Sequence, residues 1–276
     1  MTNDNIWFWI GFGTFILAML ALDLGVFHKK SHTVSMKEAL TWTTVWTLLA
    51  TAFGAWIWSS QGRTAGVEFY TGYLIELSLS ADNVFVFSII FSYFAVPPAY
   101  QHKVLFWGVL SALILRFIMI WAGAVLVEQF MWLLYIFGAF LIVTGIKMLV
   151  QKEAKHDPEA SMIVKLFRRF IPTTSDYDGD RFLTRVDGRL MATPLLLVLA
   201  CVEVSDVIFA VDSIPAIFAI TRDPFIVFTS NVFAIMGLRS LYFVLSGAVE
   251  KFYLLRAGLG IILTFVGITM LLGHTA

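Results

Sequence analysis

The sequence predicts an all-α, polytopic transmembrane helical bundle, and three observations predict it. Apolar residues make up 59% of the 276, a share that soluble domains do not reach. They gather into runs near the ~20 residues a helix needs to cross a bilayer. Eight such runs follow one another along a single integral membrane domain, residues 1–276.

The first span covers 6–27 and has no basic residue before it, so it reads as a retained helix rather than a cleaved signal. The second covers 37–59, the third 68–95, the fourth 103–124 and the fifth 130–150. Trp7, Trp9, Trp56, Trp58, Trp107, Trp121 and Trp132 fall toward span ends, as an interfacial aromatic belt requires. A loop over 151–191 follows, then spans at 192–220, 224–247 and 252–273. Within the loop, Met162 to Ile171 reads as a short basic amphipathic helix at the membrane surface. Asp187-Gly188, inside 181–191, reads as the tight I′ turn of a β-hairpin.

Basic residues set the orientation. The first connection carries Lys29, Lys30 and Lys37, the third Lys103, and the fifth nine Lys and Arg from Lys147 to Arg189. The even-numbered connections carry Arg63 and Arg222. The positive-inside rule then makes the odd connections cytoplasmic and puts the N terminus outside.

Spans three to five and six to eight repeat one another, over 68–150 and 192–273. Glu76-Leu-Ser78 answers Glu203-Val-Ser205, Ile114-Leu-Arg116 answers Gly237-Leu-Arg239, and Phe140–Val150 answers Ile262–Leu272. The first parts align only with small gaps, which leaves the pairing of the acids open. A unit of three spans is odd, so the two copies enter from opposite sides. Inverted repeats of this kind bind substrate near the midplane where the copies meet.

Six carboxylates lie in the apolar runs: Asp23, Glu76, Asp82, Glu203, Asp206 and Asp212. Only Arg116 and Arg239 lie at comparable depth to oppose them. An acid in hydrocarbon costs about 2.5–3.5 kcal/mol on the lenient insertion scale, and intramembrane acids mark ion pathways. Glu76 and Asp82 fall about 10–20 Å into their span, and Glu203 and Asp206 about 15–20 Å into theirs, at 1.5 Å per residue. Glu203 and Asp206 are three apart and share a helix face. Glu76 and Asp82 are separated by roughly 240° around a regular helix, so sharing a ligand requires span three to unwind or each acid to meet a different neighbour. Spans three and six are longer than a straight crossing needs, and Pro215 suits a break after Asp212. Asp23 and Asp212 lie nearer span ends, where an interfacial role competes with a role in the site. The arginines are expected to lock carboxylates, and pairing as structural glue is the competing reading of the whole set.

The donors on offer are oxygens: the acids, the Asn83 amide, and hydroxyls of Ser78, Ser80, Ser205 and Ser213. They suit Mn²⁺, Mg²⁺ or Ca²⁺ better than Cu⁺ or Zn²⁺. Crowded acids do not all stay ionised, so protons are the expected counter-ion. Asp176, Asp178, Asp180 and Asp187 have EF-hand-like spacing, but Arg181 stands where that loop needs glycine. The one cysteine, Cys201, lies in an apolar run and makes an internal disulfide impossible. No nucleophile–base pair points to an enzyme, and nothing points to a nucleic-acid partner or a resident cofactor.

Long strings carry a family resemblance: Gly72-Tyr-Leu-Ile-Glu76 with Asp82-Asn-Val-Phe85, Leu134-Tyr-Ile-Phe-Gly-Ala-Phe140, Ala192-Thr-Pro-Leu195, Val202 to Ala216, and Thr229-Ser-Asn231 to Arg239. Over nearly its whole length the chain resembles the TerC family of integral membrane proteins. The resemblance implies cation handling in the bacterial inner membrane, with manganese export the leading activity. It implies Glu76, Asp82, Glu203, Asp206 and Asp212 as the metal site. Members usually continue into one more helix beyond the point where Ala276 ends this chain. Where the first repeat has Lys147, the second has Thr269.

The sequence is therefore read as a secondary transporter exporting Mn²⁺ by alternating access. Glu76, Asp82, Glu203 and Asp206 are its expected ligands, with Asn83 and Asp212 as helpers. Arg116 and Arg239 pair with the acids in the ion-free state. Two other readings stand beside it. One is a non-transporting membrane partner that aids assembly or metal loading of other proteins. The other is an exporter of a small organic solute.

Overall fold

The computed structural model describes residues 4–22, 34–150, 162–245 and 252–272, the side chains of 4, 5, 22, 82, 162, 163, 166, 168 and 252–256 excepted. In chain order the helices are α1 (Asp4–Leu22), α2 (Met36–Gln61), α3 (Arg63–Tyr93), α4 (Pro98–Gln129), α5 (Leu133–Val150) and the short α6 (Met162–Phe170). The hairpin β1 (Leu183–Val186) and β2 (Arg189–Ala192) follows, then α7 (Pro194–Phe218), α8 (Pro224–Leu245) and α9 (Phe252–Leu272). The protein is the all-α polytopic bundle its sequence predicts. Six helices, α2 to α5 with α7 and α8, are long and apolar enough to cross a membrane. α1 and α9 carry shorter apolar stretches, Ile6–Ala21 and Ala257–Leu272.

Local chemistry sets many helix ends. Ser35 caps α2, its hydroxyl accepting the Glu38 N–H at 3.3 Å. Pro98 and Pro194 open α4 and α7, where the missing N–H has no intrahelical partner to lose. Gly62, at φ +97°, turns the chain sharply between α2 and α3, in a region that a Cβ disfavours. Asp187 and Gly188 have φ of 51° and 77°, as the expected I′ turn demands. The hairpin is antiparallel, with Leu183 opposite Ala192 and Val186 opposite Arg189.

α8 is the central post of the bundle. Its residues from Thr229 to Ser240 are all buried, and α2, α3 and α4 pack around it. Phe12, Phe53, Phe69, Phe225 and Phe233 from four helices pack into one aromatic cluster on the α1–α2 side. α7 packs against α3 and α4, on the other side of the post.

α5 and α9 cross backbone to backbone. A Cβ on Gly145 would lie 2.6 Å from the Gly260 carbonyl, and one on Gly260 would lie 2.9 Å from the Gly145 carbonyl. Gly138 and Gly267 oppose each other in the same reciprocal way, at 3.1 and 2.6 Å. Small residues let membrane helices approach this closely.

The expected helix breaks are absent. α3 runs without interruption from Arg63 and α7 from Pro194 to Phe218. The extra length of α3 lies at its start, before the expected 68. Pro215 falls in the last turn of α7, so the one i→i−4 bond that its missing N–H removes lies at the end of the ladder, and its carbonyl still accepts the Ala219 N–H at 3.1 Å. A continuous α3 keeps positions 76 and 82 on different faces.

Candidate functional site

Arg116 is at the centre of the buried polar chemistry. α4 carries it into the bundle, where its side chain is 1% exposed between α3 and α7. Its Nε and Nη2 donate to Asp206 Oδ2 and Oδ1 of α7 at 3.3 and 2.9 Å. This two-pronged pairing is the geometry a guanidinium is built for. Nη1 donates to Glu76 Oε1 of α3 and reaches Ser213 Oγ of α7 at 3.5 Å. One cation therefore joins two acids from opposite halves of the chain. The second oxygen of Glu76 has no hydrogen-bond partner. A buried carboxylate oxygen left this way is costly and open to another cation.

Glu203 precedes Asp206 by nearly one turn of α7 and is partly buried. Its Oε1 accepts from Ser111 Oγ of α4, and its Oε2 has no partner. Gly108 lies alongside, and a Cβ on it would stand 3.6 Å from Glu203 Oε1. Asp212 faces α5 instead, taking the Thr144 hydroxyl at 3.4 Å. Asn83 is buried on α3 with its Oδ1 unpartnered. Arg239 is buried and lines a small cavity with Asp206, Gly108, Ala112, Ile235 and Leu238. Asp82 has its backbone within α3, and its side chain lies outside the described residues. Asp23 lies outside the described residues altogether.

The structure thus brings Glu76, Arg116 and Asp206 together, sets Glu203 beside them, and holds Asp212 apart. Among the described residues, no three of the His, Cys, Asp and Glu side chains are close enough to hold a metal. Arg116 stands where two of the expected ligands would converge. Of the four serines, Ser213 joins the cluster and Ser80 is buried without a partner. Ser78 and Ser205 bond back to the carbonyls of Leu74 and Cys201 at 2.7 and 2.8 Å. Sequence reasoning missed Ser111 and Thr144 as partners. It also left Asn231 without a role, although an amide inside an apolar run is itself a signal.

The acidic run before the hairpin ties the loop to the hairpin and to α4. Asp178 Oδ2 accepts from Thr184 Oγ1 at 2.7 Å, and Asp180 pairs with Lys103 of α4 at 3.3 Å. Lys103 also donates to the Asp180 carbonyl at 2.6 Å and sits over the Phe182 ring. Tyr177 donates to the Phe94 carbonyl at 2.7 Å, its phenol pushed up from the ordinary tyrosine value by burial.

The family model described as "Integral membrane protein TerC family" matches residues 61–276. The chain is 57% identical over 262 residues to "Uncharacterized membrane protein STKORF319" of Myxococcus xanthus, covering 95% of this chain and 82% of that one. It is 50% identical over 273 residues to "Putative membrane-bound redox modulator Alx" of Escherichia coli (strain K12), covering 96% and 85%. An "Uncharacterized membrane protein" of Rickettsia bellii (strain RML369-C) is 42% identical over 266 residues, covering 96% and 88%. No solved structure matches the chain.

Proposed function

Because the chain belongs to the TerC family of integral membrane proteins, we propose that it exports a divalent cation, manganese foremost, across the bacterial inner membrane. The observation that carries this reading is Arg116 shared between Glu76 and Asp206 in the bundle's interior. A guanidinium there acts as a tethered stand-in for a mobile cation. An arriving ion competes for the same carboxylates and releases Arg116 from them. Glu203, with one oxygen unpartnered, is the next acid along α7 for the ion to meet. Asp82, Asn83 and Asp212 complete the proposed pathway, Arg239 answers Arg116 in the second repeat, and Asp23 is assigned a pairing or gating role from its sequence position. Protons are the proposed counter-ion, exchanged on acids that shed the metal. No resident cofactor and no enzymatic step belong to this reading.

The glycine crossing supports alternating access between inverted repeats. The register that sets Phe140–Val150 on Ile262–Leu272 also sets Gly138 on Gly260 and Gly145 on Gly267. In space Gly138 meets Gly267 and Gly145 meets Gly260. A two-fold axis between two copies produces this exchange of partners. The same axis relates the α3–α8 packing to that of α7 on α4. The basic residues of the odd-numbered connections favour an outside N terminus.

The E. coli relative's name speaks of redox modulation. In this chain Cys201 is the only cysteine and is buried, which favours ion handling over dithiol exchange.

Reconstituting the full chain in liposomes tests the proposal. Mn²⁺ flux is expected in the wild type and lost in Glu203→Gln and Asp82→Asn, with folding intact. A wild type that moves no Mn²⁺ under pH gradients of either sign overturns it, in favour of a partner that assists other proteins. Flux driven by amino acids instead would establish a solute exporter.

A further inference from the structure

Asn231 is a buried amide with both of its polar atoms unpartnered. It is 0% exposed on α8, and neither Oδ1 nor Nδ2 has a hydrogen-bond partner. Burying an amide without partners is unfavourable, and native structures rarely leave one so. The neighbours on its helix locate it. One turn before it, Val227 packs with Ile120 of α4 and with Ala210 and Ile214 of α7. One turn after it, Ile235 lines the small cavity with Ala112 of α4 and Asp206 of α7. Between those levels α4 carries Arg116, and α7 carries Asp206 at the Ile235 level, within a turn of Asn231. On the third side, Ser230 Oγ stands 3.0 Å from where a Gly72 Cβ would be, one turn of α3 before Glu76. Asn231 therefore lies at the level of the ion-paired cluster and takes no part in its hydrogen bonds.

We infer that Asn231 is an uncharged ligand of the transported cation, presenting its amide oxygen to a divalent ion held by Glu76 and Asp206. This rests on the transport reading above. Two carboxylates neutralise a divalent ion, and hard ions fill further positions with neutral oxygens such as amide carbonyls. A third carboxylate would hold the ion more tightly than a carrier that must release it can use, since passage requires binding that is favourable yet reversible. The resemblance between repeats agrees. The register that sets Arg116 on Arg239 sets Gly108 on Asn231. Gly108 borders the carboxylate of Glu203. The second repeat thus carries an amide at the position where the first has a glycine.

The experiment uses the full chain in detergent and in liposomes, with Mn²⁺ as probe and Asn231→Leu and Asn231→Asp beside the wild type. Mn²⁺ is expected to raise the wild-type melting temperature in proportion to its occupancy. The leucine variant, close in shape and free of polar atoms, is expected to melt at the same or a higher temperature without metal. It is also expected to need at least tenfold more Mn²⁺ for the same shift. The aspartate variant is expected to half-saturate at lower Mn²⁺ and to turn over more slowly. A leucine variant with the wild-type Mn²⁺ titration overturns the inference and leaves the transport proposal standing. Should that variant fail to fold, the aspartate variant decides, and unchanged half-saturation and turnover overturn it. A wild type that neither binds nor moves Mn²⁺ overturns both.

Discussion

Arg116 decides the state of two acids at once, so its loss is asymmetric with theirs. Arg116→Ala leaves Glu76 and Asp206 buried without a counter-charge and is expected to destabilise the fold by about 3–5 kcal/mol. Reversible unfolding in mixed micelles measures this. Glu203→Gln, on a partly buried acid bonded only through Ser111, is expected to shift stability by roughly 1 kcal/mol or less in the same assay. The acids and both arginines were legible in the sequence because charge in an apolar run is conspicuous. Their pairing was not. Helix periodicity tells which face a residue occupies but not which helix faces it, and Asp206 reaches Arg116 across 90 positions of chain. Ser111 looked like an ordinary helical serine until Glu203 of α7 was found against it.

At the scale of the element, glycines separate two kinds of helix contact. Gly145→Leu or Gly260→Leu forces a side chain into the backbone of the facing helix. Each is expected to lower the melting temperature strongly, at a cost of at least about 1–3 kcal/mol. Gly11→Ala and Gly13→Ala have nothing within 4 Å and are expected to melt as the wild type or slightly above it. Thermal melts of the four variants side by side check this, and equal losses in all four would contradict it. The hairpin turn was legible because Asp-Gly encodes its own backbone angles. The breaks expected in α3 and α7 were not there, because length and a proline are weak signals of unwinding. Surplus length extends a helix as readily as it interrupts one, and a proline close to a C terminus has little ladder left to break.

For the whole molecule, the bundle was readable from composition alone, since burying so many apolar residues in lipid leaves few alternatives. The centre of the bundle was not. α8 is no more apolar by sequence than its neighbours, and only its packing makes it the post. The proposed topology has a direct test. In a Cys201→Ser background, Ser60→Cys and Arg185→Cys are expected to react with an impermeant maleimide from opposite sides of intact cells. The first is expected to be accessible from outside and the second only after permeabilisation. Labelling of both from one side would refute the orientation.

The glycine crossing of α5 and α9 has a mechanical consequence. Interlocked side chains resist rotation the way meshed teeth do, and two bare backbones in contact have none to disengage. If one half of the bundle rocks against the other, that crossing is the fulcrum, the place where least displacement occurs. Motion grows with distance along each helix, as it does along a lever arm. Substitutions that thicken the fulcrum would therefore slow exchange between the two faces of the membrane while leaving the acids' grip on an ion unchanged.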